Sequence, residues 1–170
     1  MEKVKTFSAD ISDLLNEKNY QKIYKKVPAF RQEKADRLKH REDQAQSVGA
    51  WYLWMKIQER HKIPQDAGQS FNLSHSGKYV LCSAGISGER VGFDIECMRK
   101  YHERLAEKYF CSSEYERIRN ADEAERTEMF YRYWVLKESF LKATRKGLVM
   151  GLNTSEIQIP KQGDPFFLRQ

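Results

Sequence analysis

The chain has 170 residues with 30 basic and 24 acidic side chains, a formal net charge of +6, and a hydrophobic share of 40%. This share excludes a disordered chain and predicts one compact domain, or two small halves that share a core. No stretch reaches the roughly 18 apolar residues that span a bilayer, and the charged N-terminus lacks the apolar centre of a secretory signal. We therefore expect a cytoplasmic protein that does not bind a membrane.

The three cysteines, Cys82, Cys97 and Cys111, are odd in number and widely spaced. This pattern suits neither a disulfide framework nor a zinc site. Since free cysteines are usually buried, we expect inert thiols.

The excess positive charge comes from one segment. Between Lys18 and Arg41 there are nine basic and two acidic residues, so the rest of the chain is close to neutral. A charge run of this kind is either a solvated helix face or a local surface for an anionic ligand. It does not predict that the whole protein binds nucleic acid.

The first part of the chain is expected to be helical. Ser8 or Asp10 is placed to cap a short first helix, and Pro28 is placed at the first turn of a second one. A longer helix is predicted from Glu42 to Arg60, where apolar residues recur at steps of three and four.

The hydrophobic period then changes from helical to alternating. Three strands are predicted, over Phe71 to Ser74, Lys78 to Ala84 and Val91 to Glu96. Ser113 and Glu116 form a capping-box pattern that opens another helix. A strong helix is predicted from Glu123 to Thr144, and the helical spacing of Phe130, Tyr133, Trp134 and Leu141 predicts that most of them lie in the core. A last short strand is predicted from Ser155 to Ile159. This order of elements predicts an α+β domain with mostly antiparallel pairing.

The predicted strand from Val91 to Glu96 carries two carboxylates. With a side-chain period of two, Asp94 and Glu96 share one face with Gly92, which leaves room beside them for a ligand. A hard cation such as Mg²⁺ would relieve their repulsion, since it binds one or two carboxylates together with water and phosphate oxygens. An ordinary exposed strand face is the alternative explanation.

A third carboxylate lies on the long helix. Trp134, Glu138 and Lys142 are spaced four apart, so they form one stripe along the helix. A surface ion pair between Glu138 and Lys142 would explain the pattern alone. The tryptophan at the start of the stripe, however, predicts that Glu138 is held near the core.

A short polar segment, Ser74-His75-Ser76, ends the first of the predicted strands. Its hydroxyl and imidazole groups are suitable donors to an anionic ligand. A histidine in a turn is also often structural.

Three blocks of the sequence together resemble the signature motifs of the surfactin-type 4′-phosphopantetheinyl transferases. In chain order they are Phe71-Asn72-Leu73-Ser74-His75-Ser76-Gly77, Val91-Gly92-Phe93-Asp94-Ile95-Glu96, and Trp134-Val135-Leu136-Lys137-Glu138-Ser139-Phe140-Leu141-Lys142-Ala143 with Lys146-Gly147-Leu148. Their order and separation match the family as well, and the resemblance extends from about Val27 to Ile159.

The resemblance implies a Mg²⁺-dependent holo-carrier-protein synthase. Such an enzyme transfers the phosphopantetheine arm of coenzyme A to a serine of an acyl, peptidyl or aryl carrier protein in fatty acid or secondary metabolite biosynthesis. Adenosine 3′,5′-bisphosphate is released. Carrier proteins are generally acidic, so the surplus basic charge is expected to attract them.

The resemblance also implies roles for individual residues. Asp94, Glu96 and Glu138 would hold Mg²⁺ against the pyrophosphate of coenzyme A, and Asp94 thereby contributes to cofactor binding. Glu138 is the candidate base for the carrier serine, and Lys142 would neutralise charge on the transferring phosphoryl group. The remaining expected coenzyme A ligands are Ser74, His75, Ser76, Arg31 and Lys34, with Ser47 close to the basic ones.

The fold implied by the resemblance consists of two similar α+β halves related by a pseudo-twofold axis, with coenzyme A in the cleft between them. Here the halves would be residues 1–88, on the nucleotide side, and residues 89–170, with the metal and catalytic residues. A monomer is expected. The sequence lacks the family's Gly-Lys-Pro segment between the long helix and the first block, and it ends before the expected closing strands.

Two other functions are compatible with the sequence. One is a coenzyme A or nucleotide binder whose catalysis is impaired. The other is an RNA-binding domain that uses the basic segment, although its aromatic residues have core-like helical spacing rather than the arrangement of a stacking sheet.

Overall fold

The computed structural model describes residues 4–63, 71–85, 90–145, 151–160 and 163–169. It confirms the α+β class, and the chain divides into two compact units, Met1–Ile95 and Glu96–Gln170. The predicted boundary between Gly88 and Glu89 lies outside the described residues. That division, the pseudo-twofold relation and the cleft stay predictions.

The first unit combines a small sheet with helices. Its elements are β1 (Val4–Asp10), a 3₁₀ turn (Ser12–Leu15), α1 (Glu17–Tyr24), α2 (Ala29–Asp36), α3 (Arg41–His61), β2 (Phe71–Ser76) and β3 (Tyr79–Gly85). The strands form an antiparallel sheet in the order β1-β3-β2, so β2 is an edge strand. Trp54 and Ile57 of α3 pack against Cys82 and Ala84 of β3, which places the core between the helix and one face of the sheet.

The predicted long helix is confirmed, because α3 differs from the prediction by one residue at each end. The short first helix, expected to run through Leu14 and Leu15, is confirmed as a single 3₁₀ turn, Ser12–Leu15. The expected caps are wrong, since Ser8 and Asp10 belong to β1 and the N-cap residue is Ile11. Asp10 Oδ1 nevertheless accepts from the backbone N–H of Ser12, the first residue of the turn, at 2.9 Å. Helix α1 begins later, where the side chain of Asn16 caps it.

The strand predicted from Val91 to Glu96 is also wrong, because this segment joins no sheet. The backbone N–H of Phe93 donates to Asn72 Oδ1 at 2.9 Å, and that of Ile95 donates to Ser74 Oγ at 3.3 Å. Side chains of β2, rather than its backbone, therefore satisfy these groups. The shared face predicted for Asp94 and Glu96 is not found either, since Asp94 is buried and Glu96 is exposed.

The second unit is mainly helical. Its elements are α4 (Glu103–Tyr109), α5 (Ser112–Asn120), α6 (Glu123–Thr144), a 3₁₀ turn (Leu152–Thr154), β4 (Glu156–Gln158) and β5 (Phe166–Arg169). Helix α6 has the predicted bounds, and Phe130 and Tyr133 place it in the core with Ile118 and Ile157. Within the described ranges, no helix is long and apolar enough to cross a membrane.

The two strands of the second unit are antiparallel. Strand β4 is shorter than the predicted Ser155 to Ile159, and β5 was not predicted. The capping box at Ser113 and Glu116 is wrong. Helix α5 begins at Ser112, and the backbone N–H of Cys111 donates to Glu114 Oε2 at 2.8 Å, so the box lies two residues earlier than predicted.

All three cysteines are free thiols. Cys82 and Cys111 are buried and Cys97 is partly exposed. Burial raises the pKa of the Cys82 thiol to about 12, so this side chain is inert as expected.

Candidate active site

A cavity of about 400 Å³ in the first unit brings together four residues expected at the coenzyme A phosphate. Arg31 and Lys34 enter its wall from α2, Ser47 from α3 and His75 from β2. Asp43 is an acidic residue of the same wall. We call this space the phosphate cavity.

Two polar atoms in its wall are held without hydrogen-bond partners. Neither Ser47 Oγ nor Arg31 Nε has one among the described residues, and Ser47 is only 6% exposed. Burial also lowers the pKa of Arg31 below its usual value. Since an unpaired buried donor is costly, an anionic acceptor in the cavity would relieve both groups.

Ser74 and His75 lie on opposite faces of β2, as consecutive residues of a strand must. His75 lines the phosphate cavity, whereas Ser74 is 5% exposed and its hydroxyl donates to Asp94 Oδ1 at 2.7 Å. Ser74 therefore orients the Asp94 carboxylate. Ser76 follows on the same side as Ser74 and is partly buried.

The three carboxylates expected at the metal differ in their environment. Asp94 belongs to the first unit and is only 9% exposed. Glu96 and Glu138 belong to the second unit, where Glu96 is exposed and Glu138 is partly buried. In the part of the chain that the structure describes, no three His, Cys, Asp or Glu side chains are grouped so that they could hold a metal ion. The donor set, which consists of carboxylate oxygens, fits Mg²⁺, and one or two of them suffice for it.

The stripe of Trp134, Glu138 and Lys142 runs along α6. Trp134 is partly buried and stacks on Phe130, with ring centroids 5.7 Å apart, so it is anchored in the core as expected. Glu138 and Lys142 follow one and two turns later, and both are partly buried. The stripe is therefore more than a solvated helix face.

Sequence reasoning missed a buried ion pair beside this stripe. Lys137 is fully buried, and its Nζ lies 2.8 Å from Glu114 Oε2 in α5. The same ammonium donates to the carbonyls of Leu152 at 2.8 Å and Ser155 at 2.5 Å. Lys137 thus joins α6 to α5 and to the turn before β4.

The carboxylate of the pair is equally well satisfied. Glu114 is 1% exposed and accepts from the backbone N–H groups of Cys111 and Ile157, each at 2.8 Å. A signal for the lysine was present, since it lies four residues from both Tyr133 and Leu141, which were predicted core positions.

Comparison with known proteins finds a similarity to one family in the second half of the chain. Residues 90–169 match the model of the 4′-phosphopantetheinyl transferase superfamily. The chain is 34% identical to the 4′-phosphopantetheinyl transferase Sfp of Bacillus subtilis over 101 residues, which is 59% of this chain and 44% of Sfp. It is 38% identical to the 4′-phosphopantetheinyl transferase HetI of a Nostoc species over 85 residues, 49% of this chain and 35% of HetI.

A further relative matches over a longer stretch. The 4′-phosphopantetheinyl transferase ffp of Bacillus subtilis is 27% identical over 167 residues, 88% of this chain and 74% of ffp. The predicted resemblance to the surfactin-type members of this superfamily is confirmed. The aligned region spans less than half the length of Sfp.

Proposed function

We propose that the chain is a phosphopantetheinyl transferase that moves the phosphopantetheine arm of coenzyme A onto a serine of an apo carrier protein. The observation that carries this proposal is the phosphate cavity. It occurs in a chain whose residues 90–169 match the model of this family. Arg31, Lys34 and His75 converge there from elements that are distant in sequence. Such a set of donors suits a phosphate group.

In the proposed complex, the phosphate cavity holds the 3′-phosphate of coenzyme A. Arg31 and Lys34 supply positive charge, His75 supplies a ring N–H, and the Ser47 hydroxyl can donate to a phosphate oxygen. This binding would orient the pyrophosphate for the transfer step.

The transfer breaks the bond between the pantetheine-bearing phosphorus and the oxygen that bridges to adenosine 3′,5′-bisphosphate, and it forms a bond from the carrier serine Oγ to that phosphorus. We assign Glu138 to accept the serine proton and Lys142 to stabilise the negative charge of the phosphoryl group and the leaving bisphosphate. Asp94, which Ser74 orients, would hold Mg²⁺ with Glu96 and Glu138. When bound, Mg²⁺ supplies charge neutralisation at the phosphates.

The basic segment supports an acidic carrier as the partner. Of its nine basic residues, Arg31 and Lys34 line the phosphate cavity, whereas Lys18, Lys22 and Lys25 are exposed on or beside α1. We propose that these exposed lysines raise the rate of encounter with an acidic acyl, peptidyl or aryl carrier. The proposed enzyme acts as a cytoplasmic monomer.

The test is incubation of the full chain with coenzyme A, Mg²⁺ and a panel of apo carrier proteins, followed by intact mass measurement. One carrier should gain the mass of one phosphopantetheine arm. Glu138→Gln should lower the transfer rate by about 10²- to 10⁴-fold, the usual effect of losing a general base. Asp94→Ala should abolish the mass gain of the carrier.

Glu128→Gln is the matched control, because Glu128 is an exposed glutamate on the same helix. It should transfer at the wild-type rate. If no carrier in the panel is modified, or if Glu138→Gln and Glu128→Gln are equally active, the proposal is wrong.

A second candidate is a coenzyme A binder without transferase activity. The observation that favours it is that the sequence lacks the Gly-Lys-Pro segment that the resemblance leads us to expect before the first block. Coenzyme A binding without transfer to any carrier would support this candidate. Salt-sensitive RNA binding that survives His75→Ala and exceeds coenzyme A affinity would instead favour an RNA-binding protein.

A further inference from the structure

A cavity of about 580 Å³ lies in the second unit, where α5, α6 and the end of β4 meet. Its polar wall residues are Arg117 of α5, Arg132 and Tyr133 of α6, and Gln158 of β4. We call it the arginine cavity. Its volume falls within the range of about 300–1,000 Å³ that is usual for small-molecule sites. None of its described wall residues lines the phosphate cavity, so the arginine cavity is a separate space.

The two arginines of this wall form no ion pair with a carboxylate in the described ranges. Arg117 Nη1 donates to the carbonyl of Ile159 at 3.3 Å and to the Tyr133 hydroxyl at 3.5 Å. These two neutral acceptors hold the side chain at the wall, and a guanidinium has further N–H groups for a ligand. An anion in the cavity would therefore meet two positive charges, one of them already positioned.

The Tyr133 hydroxyl adds a hydrogen-bond donor to the same wall. Tyr133 is 1% exposed, and its ring belongs to the core that contains Phe130. Its oxygen accepts from Arg117, but the structure shows no acceptor for its proton among the described residues. A buried hydroxyl whose proton is unpaired is costly, and an anionic oxygen in the cavity would accept that proton.

The rest of the described wall is apolar. It consists of Met129 of α6 and of Ile159 and Pro160, which follow β4, and all three are partly buried. No acidic residue is found among the described wall residues. An inorganic ion would leave these apolar side chains in contact with water, whereas a ligand that joins an anionic group to a carbon chain or ring would cover them. Methionine adapts readily to the shape of such a ligand.

We propose that the arginine cavity binds a small organic anion, which carries a carboxylate or a phosphate group on an apolar body. Arg117 and Arg132 bind the anionic oxygens, and the Tyr133 hydroxyl donates to one of them. Met129 and Ile159 pack against the apolar body. The site does not depend on the proposed function, because coenzyme A is assigned to other residues.

Isothermal titration calorimetry of the full chain with four probes tests the proposal. Octanoate and octyl phosphate carry an anionic group on a carbon chain, octan-1-ol carries the chain alone, and inorganic phosphate is the anion alone. Octanoate or octyl phosphate should bind more tightly than both octan-1-ol and inorganic phosphate, and the tighter of the two identifies the anionic group. Arg132→Gln and Tyr133→Phe should each weaken its binding by about 10- to 150-fold, the usual effect of losing one hydrogen bond to a charged group.

Arg119→Gln is the matched control, because Arg119 is an exposed arginine of α5 outside the cavity wall. It should bind all four probes as the wild type does. NMR of the chain with ¹³C-labelled methionine methyl groups gives a second readout, since there are five methionines. The Met129 resonance should shift when octanoate or octyl phosphate binds, whereas that of Met98, which is 63% exposed and outside the wall, should not.

Three results would overturn the inference. In the first, octanoate and octyl phosphate bind no more tightly than octan-1-ol or inorganic phosphate, which means that the arginines are only solvated. In the second, Arg132→Gln binds the tighter probe as well as Arg119→Gln does. Since Arg132 is exposed, its replacement should not disturb folding, and this comparison decides the matter even if Tyr133→Phe is unstable. In the third, Arg31→Ala weakens binding of that probe as much as Arg132→Gln does, which assigns the probe to the phosphate cavity.

Discussion

Replacing Lys137 by methionine should destabilise the protein severely. The substitution keeps a long side chain but removes the ammonium that contacts Glu114 Oε2 at 2.8 Å and two backbone carbonyls. The Glu114 carboxylate, 1% exposed, would then be buried without its counter-charge. Loss of one partner of a buried pair costs about 3–5 kcal/mol. Native domains are stable by only about 5–15 kcal/mol, so this is a large fraction of the whole.

Urea denaturation followed by circular dichroism measures the effect. For a chain of this size, a loss of about 4 kcal/mol also lowers the melting temperature by roughly 8–16 °C. Lys142→Met is the matched control, because it removes an ammonium from the same helix at a partly exposed position. Its free energy of unfolding should change by less than about 1 kcal/mol.

The double variant Lys137→Met/Glu114→Gln isolates the cause. If the unpaired charge produces the loss, neutralising Glu114 should restore at least about 1 kcal/mol relative to Lys137→Met alone. A single variant that loses less than about 1 kcal/mol, or a double variant no more stable than the single one, would refute the reasoning from the buried pair.

Two further predictions follow from titratable groups. Hydrogen bonds from Ser12, together with Lys78, lower the pKa of Asp10 to about 2. Because the pKa of Asp10 is lower in the folded than in the unfolded chain, its ionised carboxylate stabilises the fold at pH values above the unfolded pKa near 3.8. This contribution is lost as the pH falls towards 2. Asp10→Asn should therefore be less stable than the wild type at pH 6, and most of the difference in urea midpoint should be lost at pH 2. A difference as large at pH 2 as at pH 6 would contradict this. Because the pKa of Cys82 is raised to about 12, iodoacetamide at pH 8 should alkylate Cys97 first and Cys82 only after unfolding, as mass spectrometry of peptides can show; early modification of Cys82 would contradict its burial.

The long helices were predictable because their periodicity extends over many residues. Helices α3 and α6 have bounds within one residue of those predicted, and Phe130 and Tyr133 are in the core as their spacing indicated. The segment from Val91 to Glu96 failed because alternation is a property of side chains, whereas a strand also needs a partner backbone.

The candidate site was predictable only in part. Arg31 and His75 are 44 residues apart in the sequence, and it was the family resemblance that suggested a common ligand. The burial of Lys137 depends on Glu114, 23 residues earlier, and on carbonyls that follow the helix. No local pattern records such a partner, so an amphipathic helix with a lysine in its apolar stripe was the most that the sequence indicated.

The edge strand β2 constrains the length of the hairpin that follows it. Ser74 and His75 work on opposite faces, and a two-residue connection, Gly77 and Lys78, fixes their register against β3. Sliding the strand by one residue would turn the histidine towards Asp94 and the serine towards the phosphate cavity. Inserting or deleting one residue in the connection would therefore remove both contacts, although every side chain is retained. Inserting or deleting two residues would leave Ser74 and His75 on their present faces. Related chains should therefore differ in the length of this connection by an even number of residues.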